Sequence, residues 1–204
     1  MTADRVILIR HGRTTWNATA RFQGQTDIPL DDVGVGQAQR TAEALYQQLV
    51  GTEVKILSSD LARAAQTARA LATRLHVEVG LEPRLREVSA GAWEGLTRDE
   101  ITKVWPDDYA AWRRGDADVR LGNDGETRSE AAERCAAAIV EAEKAMTGGT
   151  LVCVSHGGAL RGAIFSLLGT PDWPWYALEG LHNAHWAELQ NSERGWRLSR
   201  YNVS

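Results

Sequence analysis

A chain of 204 residues, 43% hydrophobic and 25% charged, has the size and make-up of one soluble globular domain. Its net charge of −4 and pI near 5.8 argue against nucleic acid or an anionic membrane surface as the main partner. No apolar run approaches the roughly 20 residues that a membrane span requires, so a cytoplasmic location is expected.

The first ten residues hold one short apolar run, Val6 to Ile9, which an arginine ends. That is too short for the core of a signal peptide and reads as a strand covered on both faces. Gln37 to Leu49 is helix-like, with Ala38, Thr41, Ala42, Leu45 and Leu49 at helical spacing. Val54 to Leu57 reads as a second strand. Asp60 to Leu75 reads as a second helix, its Leu61, Ala64, Ala65, Ala68, Leu71 and Leu75 on a 3.6-residue period. The stretch from Trp93 to Gly125 differs: Trp93, Trp105, Pro106 and Trp112 precede a polar run from Arg113 to Asp118. It reads as helical pieces and loops lying over one edge of the sheet, a lid-like insertion spanning about residues 93–125. Arg128 to Met146 is a third helix, opened by Thr127 with Glu130 three residues on, a capping box. Leu151 to Val154 is a third buried strand, and the helix from Ala159 to Leu168 is ended by Gly169 and Pro171. Trp186 and Trp196 flank a polar turn, Asn191-Ser192-Glu193-Arg194-Gly195, as a closing hairpin would. Strand and helix alternate. The expected fold is therefore α/β, a three-layer α-β-α sandwich with a mainly parallel mixed sheet, in one domain over residues 1–204.

Cys135 and Cys153 have no CxxC or CxxH neighbour and read as buried small hydrophobes, not as a disulfide or a metal site. Lys55, Lys103 and Lys144 are the only lysines. Positive charge is thus nearly all arginine, which suits two-pronged binding of oxyanions.

Chemistry concentrates in two places. Leu8-Ile9-Arg10-His11-Gly12 is a buried strand that ends abruptly in arginine, histidine and glycine, followed by Thr14 and Asn17. Val152-Cys153-Val154-Ser155-His156-Gly157-Gly158 repeats this grammar far along the chain and runs into a helix. In open α/β sheets ligands sit beyond the carboxyl ends of strands. Two such strands can bring both imidazoles to one pocket, and the free N–H groups at the start of the following helix, around Gly157 and Gly158, add anion-binding capacity.

On Arg10-His11-Gly12, Asn17, Gln23-Gly24, Ser58-Ser59-Asp60-Leu61-Ala62-Arg63-Ala64 with Thr67, Leu85-Arg86-Glu87 with Gly91 and Trp93-Glu94-Gly95, and Ser155-His156-Gly157, the chain resembles the histidine phosphatase (phosphoglycerate mutase-like) superfamily. It is most similar to the small bacterial phosphatases, which include those for glucosyl-3-phosphoglycerate and α-ribazole phosphate. The resemblance implies that His11 is the nucleophile and that Arg10, Arg63 and His156 surround the phosphate. It also implies that Glu87 is the acid and then the base, and that Asn17, Gln23, Gly24 and Gly157 complete the substrate site. The physical requirements agree. Phosphoryl transfer needs positioning and charge around three equatorial oxygens, which arginines and a protonated His156 would supply. His11 must be neutral to attack, with its other ring nitrogen held by an acceptor. One carboxyl group can protonate the leaving alcohol and then deprotonate water. No metal and no cofactor are expected.

His76, His182 and His185 read as structural, Glu82 and Glu94 are the rivals of Glu87, and Trp16 is the leading candidate for a pocket wall. Arg13 departs from the family, which usually has glutamate or glutamine there; it would either recruit a second anionic group or point to solvent. The function expected is metal-independent hydrolysis of a phosphate monoester of a small metabolite through a phosphohistidine. The alternatives are a cofactor-dependent phosphoglycerate mutase and a non-catalytic phosphate-binding module. Mutases of this family carry a longer insertion between acid and second histidine, whereas Glu87 and His156 stand 69 positions apart. The module would have lost a pocket residue, and none is lost. A homodimer is left open.

Overall fold

The computed structural model describes residues 2–170, 174–193 and 195–204. Strands β1 (Arg5–Arg10) and β4 (Thr150–Ser155) run parallel and side by side at the centre of the sheet. β2 (Val54–Ser58) pairs parallel with the other side of β4, and β3 (Val79–Leu81) pairs parallel with β2. β5 (Trp186–Gln190) lies antiparallel to β1, and β6 (Arg197–Val203) antiparallel to β5. The order is β3-β2-β4-β1-β5-β6, a mixed sheet with a parallel majority, as expected.

The continuous apolar runs of β1 and β4 follow from burial on both faces. Successive residues of a strand point to opposite sides, so Val6 and Leu8 enter one core and Ile7 and Ile9 the other. The first core joins Leu151 and Cys153 to helices α6 (Arg128–Lys144) and α7 (Gly157–Leu167). The second joins Ile56, Val152 and Val154 to α2 (Asp32–Leu49) and α3 (Ala62–Leu75). These are the three layers.

Several boundaries moved for local reasons. Helix α2 starts five residues before the expected Gln37, because Asp31 caps it by accepting the Gly34 N–H at 2.7 Å. Gly34 and Gly36, poor helix formers, hide that start in the sequence. Helix α3 starts at Ala62, not Asp60; Asp60 is engaged with Arg86, and Asp27 accepts the Ala62 N–H at 2.7 Å. Helix α7 starts at Gly157, two residues early, and β3 was not foreseen, being three residues long with Gly80 at its middle. The Thr127–Glu130 capping box is present, and α6 ends at Lys144. Of the expected helix stop and hairpin turn, Pro171 and Arg194 lie outside the described residues.

Before α2 comes the single turn α1 (Thr15–Ala18). Between α3 and α6, a 3-10 turn (Gly91–Trp93), α4 (Arg98–Val104) and α5 (Pro106–Arg113) form a separate cluster. Trp93, fully buried, is its centre, with Ile101, Tyr109 and Leu121 around it and Phe22 edge-on at 5.6 Å. Among the described residues no helix is long and apolar enough to cross a membrane.

Candidate active site

The strand register builds the site. Arg10 is opposite Ser155 in the β1–β4 ladder, and the His11 N–H donates to the Ser155 carbonyl at 3.0 Å. His11 and His156, one residue beyond that pair, are therefore neighbours, with ring centroids 5.1 Å apart. Both are buried.

The His11 ring is held by its own loop, its Nδ1 donating to the Gly12 carbonyl at 2.6 Å. With Nδ1 carrying the proton, Nε2 keeps its lone pair. This is the backbone acceptor that the chemistry requires. Burial first, then Arg63 and Arg10, hold the ring well below the usual histidine pKa, so it is neutral at pH 7. The loop is itself pinned. The Gly12 N–H donates to Thr67 Oγ1, and Asn183 Nδ2 donates to the carbonyls of His11 and Gly12 at 3.1 and 3.3 Å.

Arg63 is fully buried in the first turn of α3. Its Nε donates to His156 Nδ1 at 3.2 Å, while Nη1 and Nη2 donate to the carbonyls of Thr26 and Gly24 at 2.8 Å. Burial pushes its pKa down to about 10 against the opposing pull of Glu87, so it stays charged. Gly24 suits this turn: its φ is +49°, and a Cβ would sit 2.8 Å from the Ala90 nitrogen. Arg10 donates from Nη1 to the Leu181 carbonyl at 2.6 Å, and its buried Nε has no hydrogen-bond partner among the described residues.

One expectation for His156 is corrected. Burial, then Arg63, His11 and Arg10, hold it well below its usual pKa, so it is neutral. Its Nδ1 accepts from Arg63 and its Nε2–H faces Ser59 Oγ at 2.9 Å. The donor it offers is an uncharged N–H, because the surrounding cations make a second charge costly.

Glu87 meets the N-terminus of α7. Its Oε1 accepts from the N–H groups of Val88 and Ala159, and its Oε2 from Gly158 at 3.1 Å. The rivals are used elsewhere: Glu94 accepts from Gln25, Thr26 and Ala90, and Glu82 binds Arg84. Arg134, on α6, donates to the carbonyls of Arg84, Arg86 and Glu87 and pairs with Glu126, so it fastens the loop bearing Glu87.

A cavity of about 460 Å³ opens over these groups. Eight of the nine predicted site residues line it, Asn17, Gln23 and Gly157 among them; the ninth, His156, is buried behind the wall. Asn17 Oδ1 accepts the Thr14 and Asn183 donors, and Gln23 Oε1 accepts from Thr14 Oγ1. Those bonds fix both amides so that each NH₂ group remains for a ligand. Trp16 is not on the wall; its ring covers Gly95, and Trp112 and Trp175 line the cavity instead. Arg13 is also elsewhere, paired with Asp31 at 2.8 Å. His182 and His185 meet edge to face outside the cavity. Cys135 and Cys153 are buried free thiols, as expected.

Sequence reasoning missed Asn183, Arg134, Arg128 and Arg161. Arg161 was within reach, since it follows Gly157 by one helical turn and so shares its face. The other three carry no local signal.

The family model of the histidine phosphatase superfamily, branch 1, matches residues 6–204. Glucosyl-3-phosphoglycerate phosphatase of Mycolicibacterium vanbaalenii is 35% identical over 100% of this chain and 96% of its own length. A probable phosphoglycerate mutase, GpmB, of Enterobacter sp. strain 638 is 36% identical over 98% of this chain and 90% of its own. Mycobacterial glucosyl-3-phosphoglycerate phosphatase in complex with VO3 superposes with a TM-score of 0.87 at 34% identity, covering 99% of this chain and 100% of that one. The chain belongs to branch 1 of the histidine phosphatase superfamily.

Proposed function

We propose that this protein is a phosphatase that hydrolyses a phosphate monoester of a small metabolite through a phosphohistidine on His11. One observation carries the reading: a buried neutral imidazole, its Nδ1–H committed to the Gly12 carbonyl and its Nε2 lone pair left over, lies among Arg10, Arg63 and His156. His11 Nε2 attacks phosphorus. Arg10 and Arg63 hold the equatorial oxygens, and the charge they supply makes the reaction metal-independent, while His156 orients Arg63 by accepting its Nε–H. Among the described residues Glu87 Oε2 accepts only one N–H, so a lone pair remains to carry the proton given to the leaving alcohol and later taken from water. Residues 93–125 act as a lid, since Trp112, Arg113 and Leu121 reach the cavity from it. The net negative charge fits a cytoplasmic enzyme with small-molecule partners.

The test is a trapped intermediate. Rapid quenching with ³²P-labelled substrate is expected to leave an acid-labile, base-stable label on the wild type and none on His11→Ala, with turnover unaffected by excess EDTA. Label on another residue, or EDTA loss restored by magnesium or zinc, overturns the mechanism. Transfer of the label to a 3-phosphoglycerate acceptor, with little free phosphate, would identify a mutase.

A further inference from the structure

Glu87 is held from two sides. Its carboxylate meets the N-terminus of α7, while the main chain around it is gripped by Arg134 of α6. Arg134 Nη1 donates to the carbonyls of Arg84 and Arg86 at 2.8 and 2.7 Å, and Nη2 to the Glu87 carbonyl at 2.7 Å. The remaining donors, on Nε and Nη2, go to Glu126 Oε1 and Oε2, each at 2.7 Å. All five guanidinium N–H groups are thereby committed, in a planar fork that lysine cannot reproduce. The chain here is a 3-10 turn (Pro83–Leu85) and an irregular stretch after it. Among the described residues none of the three carbonyls accepts a backbone N–H, so Arg134 supplies what secondary structure does not.

Glu126 completes the clamp. Its Oε2 accepts the Ser89 N–H at 2.9 Å, and its own N–H donates to the Ser89 carbonyl at 2.8 Å. Because Glu126 follows directly on the 93–125 stretch, one ion pair ties the acid loop both to α6 and to the end of that stretch. Gln25 Nε2 adds a donor to the Glu87 carbonyl at 3.2 Å. Burial opposes both charges of the pair, yet each partner steadies the other: Arg134 is raised above its ordinary pKa and Glu126 lowered below its own. Arg134 is not among the described residues that line the cavity, so it is not placed to meet substrate. What it controls is where Glu87 stands. A carboxyl group hands over a proton only within hydrogen-bond reach of the leaving oxygen, and an irregular loop with its carbonyls released is free to shift.

We infer that Arg134, held in its fork by Glu126, is a positioning residue for proton transfer: by fixing the main chain of Glu87 it places the carboxyl group at the leaving oxygen. This rests on the reading of Glu87 as the acid and extends it to a side chain outside the cavity. The consequence is selective. Loss of Arg134 is felt in proportion to the leaving group's need for a proton, and only while Glu87 is there to deliver it. A residue that merely braced the fold would lower the rate on every ester alike.

The experiment compares benzyl phosphate, whose alkoxide needs a proton to leave, with p-nitrophenyl phosphate, whose phenolate needs none. The quantity read is kcat/KM, which covers the steps up to departure of the alcohol. Arg134→Met is expected to lose about 100-fold on benzyl phosphate, the effect of a misplacement near 1 Å. On p-nitrophenyl phosphate the loss should stay within about fivefold, because the acid matters little there. Arg134→Lys, which keeps the charge but not the fork, should lie between wild type and Arg134→Met. In the Glu87→Gln background, Arg134→Met should add about twofold or less on benzyl phosphate, since side chains that act through one group are not additive. Equal losses on both esters, or losses that multiply with Glu87→Gln, overturn the inference. If Arg134→Met does not fold, Arg134→Lys decides by the same two comparisons. The reading beneath fails separately: a Glu87→Gln protein that loses equally on both esters removes Glu87 as the acid, and the inference with it.

Discussion

Gly34→Ala tests how rigidly the loop after β1 must be held. Gly34 is buried in the first turn of α2, and a Cβ there would stand 2.0 Å from the Arg13 carbonyl oxygen and 2.8 Å from the Arg13 nitrogen. The contact is mutual, since a Cβ on Gly12 would lie 2.5 Å from the Gly34 carbonyl. Real Cβ contacts stop near 3.0 Å, so the two backbones would have to separate by about 1 Å. Three tethers oppose this: Asp31 N–H to the Arg13 carbonyl, Arg13 N–H to Gln37 Oε1, and Gly12 N–H to Thr67 Oγ1. Overpacking of this kind costs about 1–3 kcal/mol, and the better helix propensity of alanine returns about 1 kcal/mol. The expected net loss is up to about 2 kcal/mol. The larger effect is kinetic. The Gly12 carbonyl sets the His11 tautomer, and a displacement near 1 Å in such a group lowers turnover on the order of 10²-fold. Gly36→Ala is the control, because among the described residues its Cβ meets only Arg40 Nη1 at 3.4 Å. It should gain about 0.5–1 kcal/mol with no change in rate. Urea unfolding and kcat on p-nitrophenyl phosphate read both quantities. A Gly34→Ala protein that matches Gly36→Ala in stability and rate refutes the argument.

Glu87→Gln should lose far more rate on alkyl phosphates than on p-nitrophenyl phosphate, whose leaving group needs no proton; equal losses, or a larger effect from Glu94→Gln, would reassign the acid. Acid should destabilise the empty protein through its buried histidines. His11 and His156 titrate well below 6.5 when folded, so below pH 6.5 the unfolded chain binds protons that the fold does not. Stability should therefore fall, by up to about 1.4 kcal/mol per pH unit for each ring, until the folded pKa is reached. Urea unfolding between pH 7 and 5 should show a shallower slope for His156→Asn than for the wild type, and identical slopes would show that His156 is not held neutral.

The local features of this chain were legible because they are written in short windows. Val6 to Ile9 announces a doubly covered strand by its apolar run, Thr127 and Glu130 announce a helix start by their spacing, and the paired strand-histidine-glycine endings announce a pocket. Local rules also failed locally. Helix α2 begins at Asp32 under two glycines that propensity counts against it, because the close approach of Gly34 to Arg13 outweighs helix preference. Trp16 stands next to Asn17 in the chain, yet its ring covers Gly95 and leaves the cavity to Trp112 and Trp175.

From residue order alone came the alternating strand–helix pattern, the two histidines at strand ends and the family resemblance that assigned Glu87 and Arg63. Only the tertiary structure decided which tautomer His11 adopts, that His156 is neutral, that Glu87 and not Glu94 faces the cavity, and that Arg128 shares Trp175 with Arg161. Periodicity and capping depend on neighbours within a few residues, so one sequence suffices to read them. Charge state, tautomer and cavity lining depend on burial and on partners dozens of residues apart, as Glu87 and Ala159 are, and those exist only once the layers have packed.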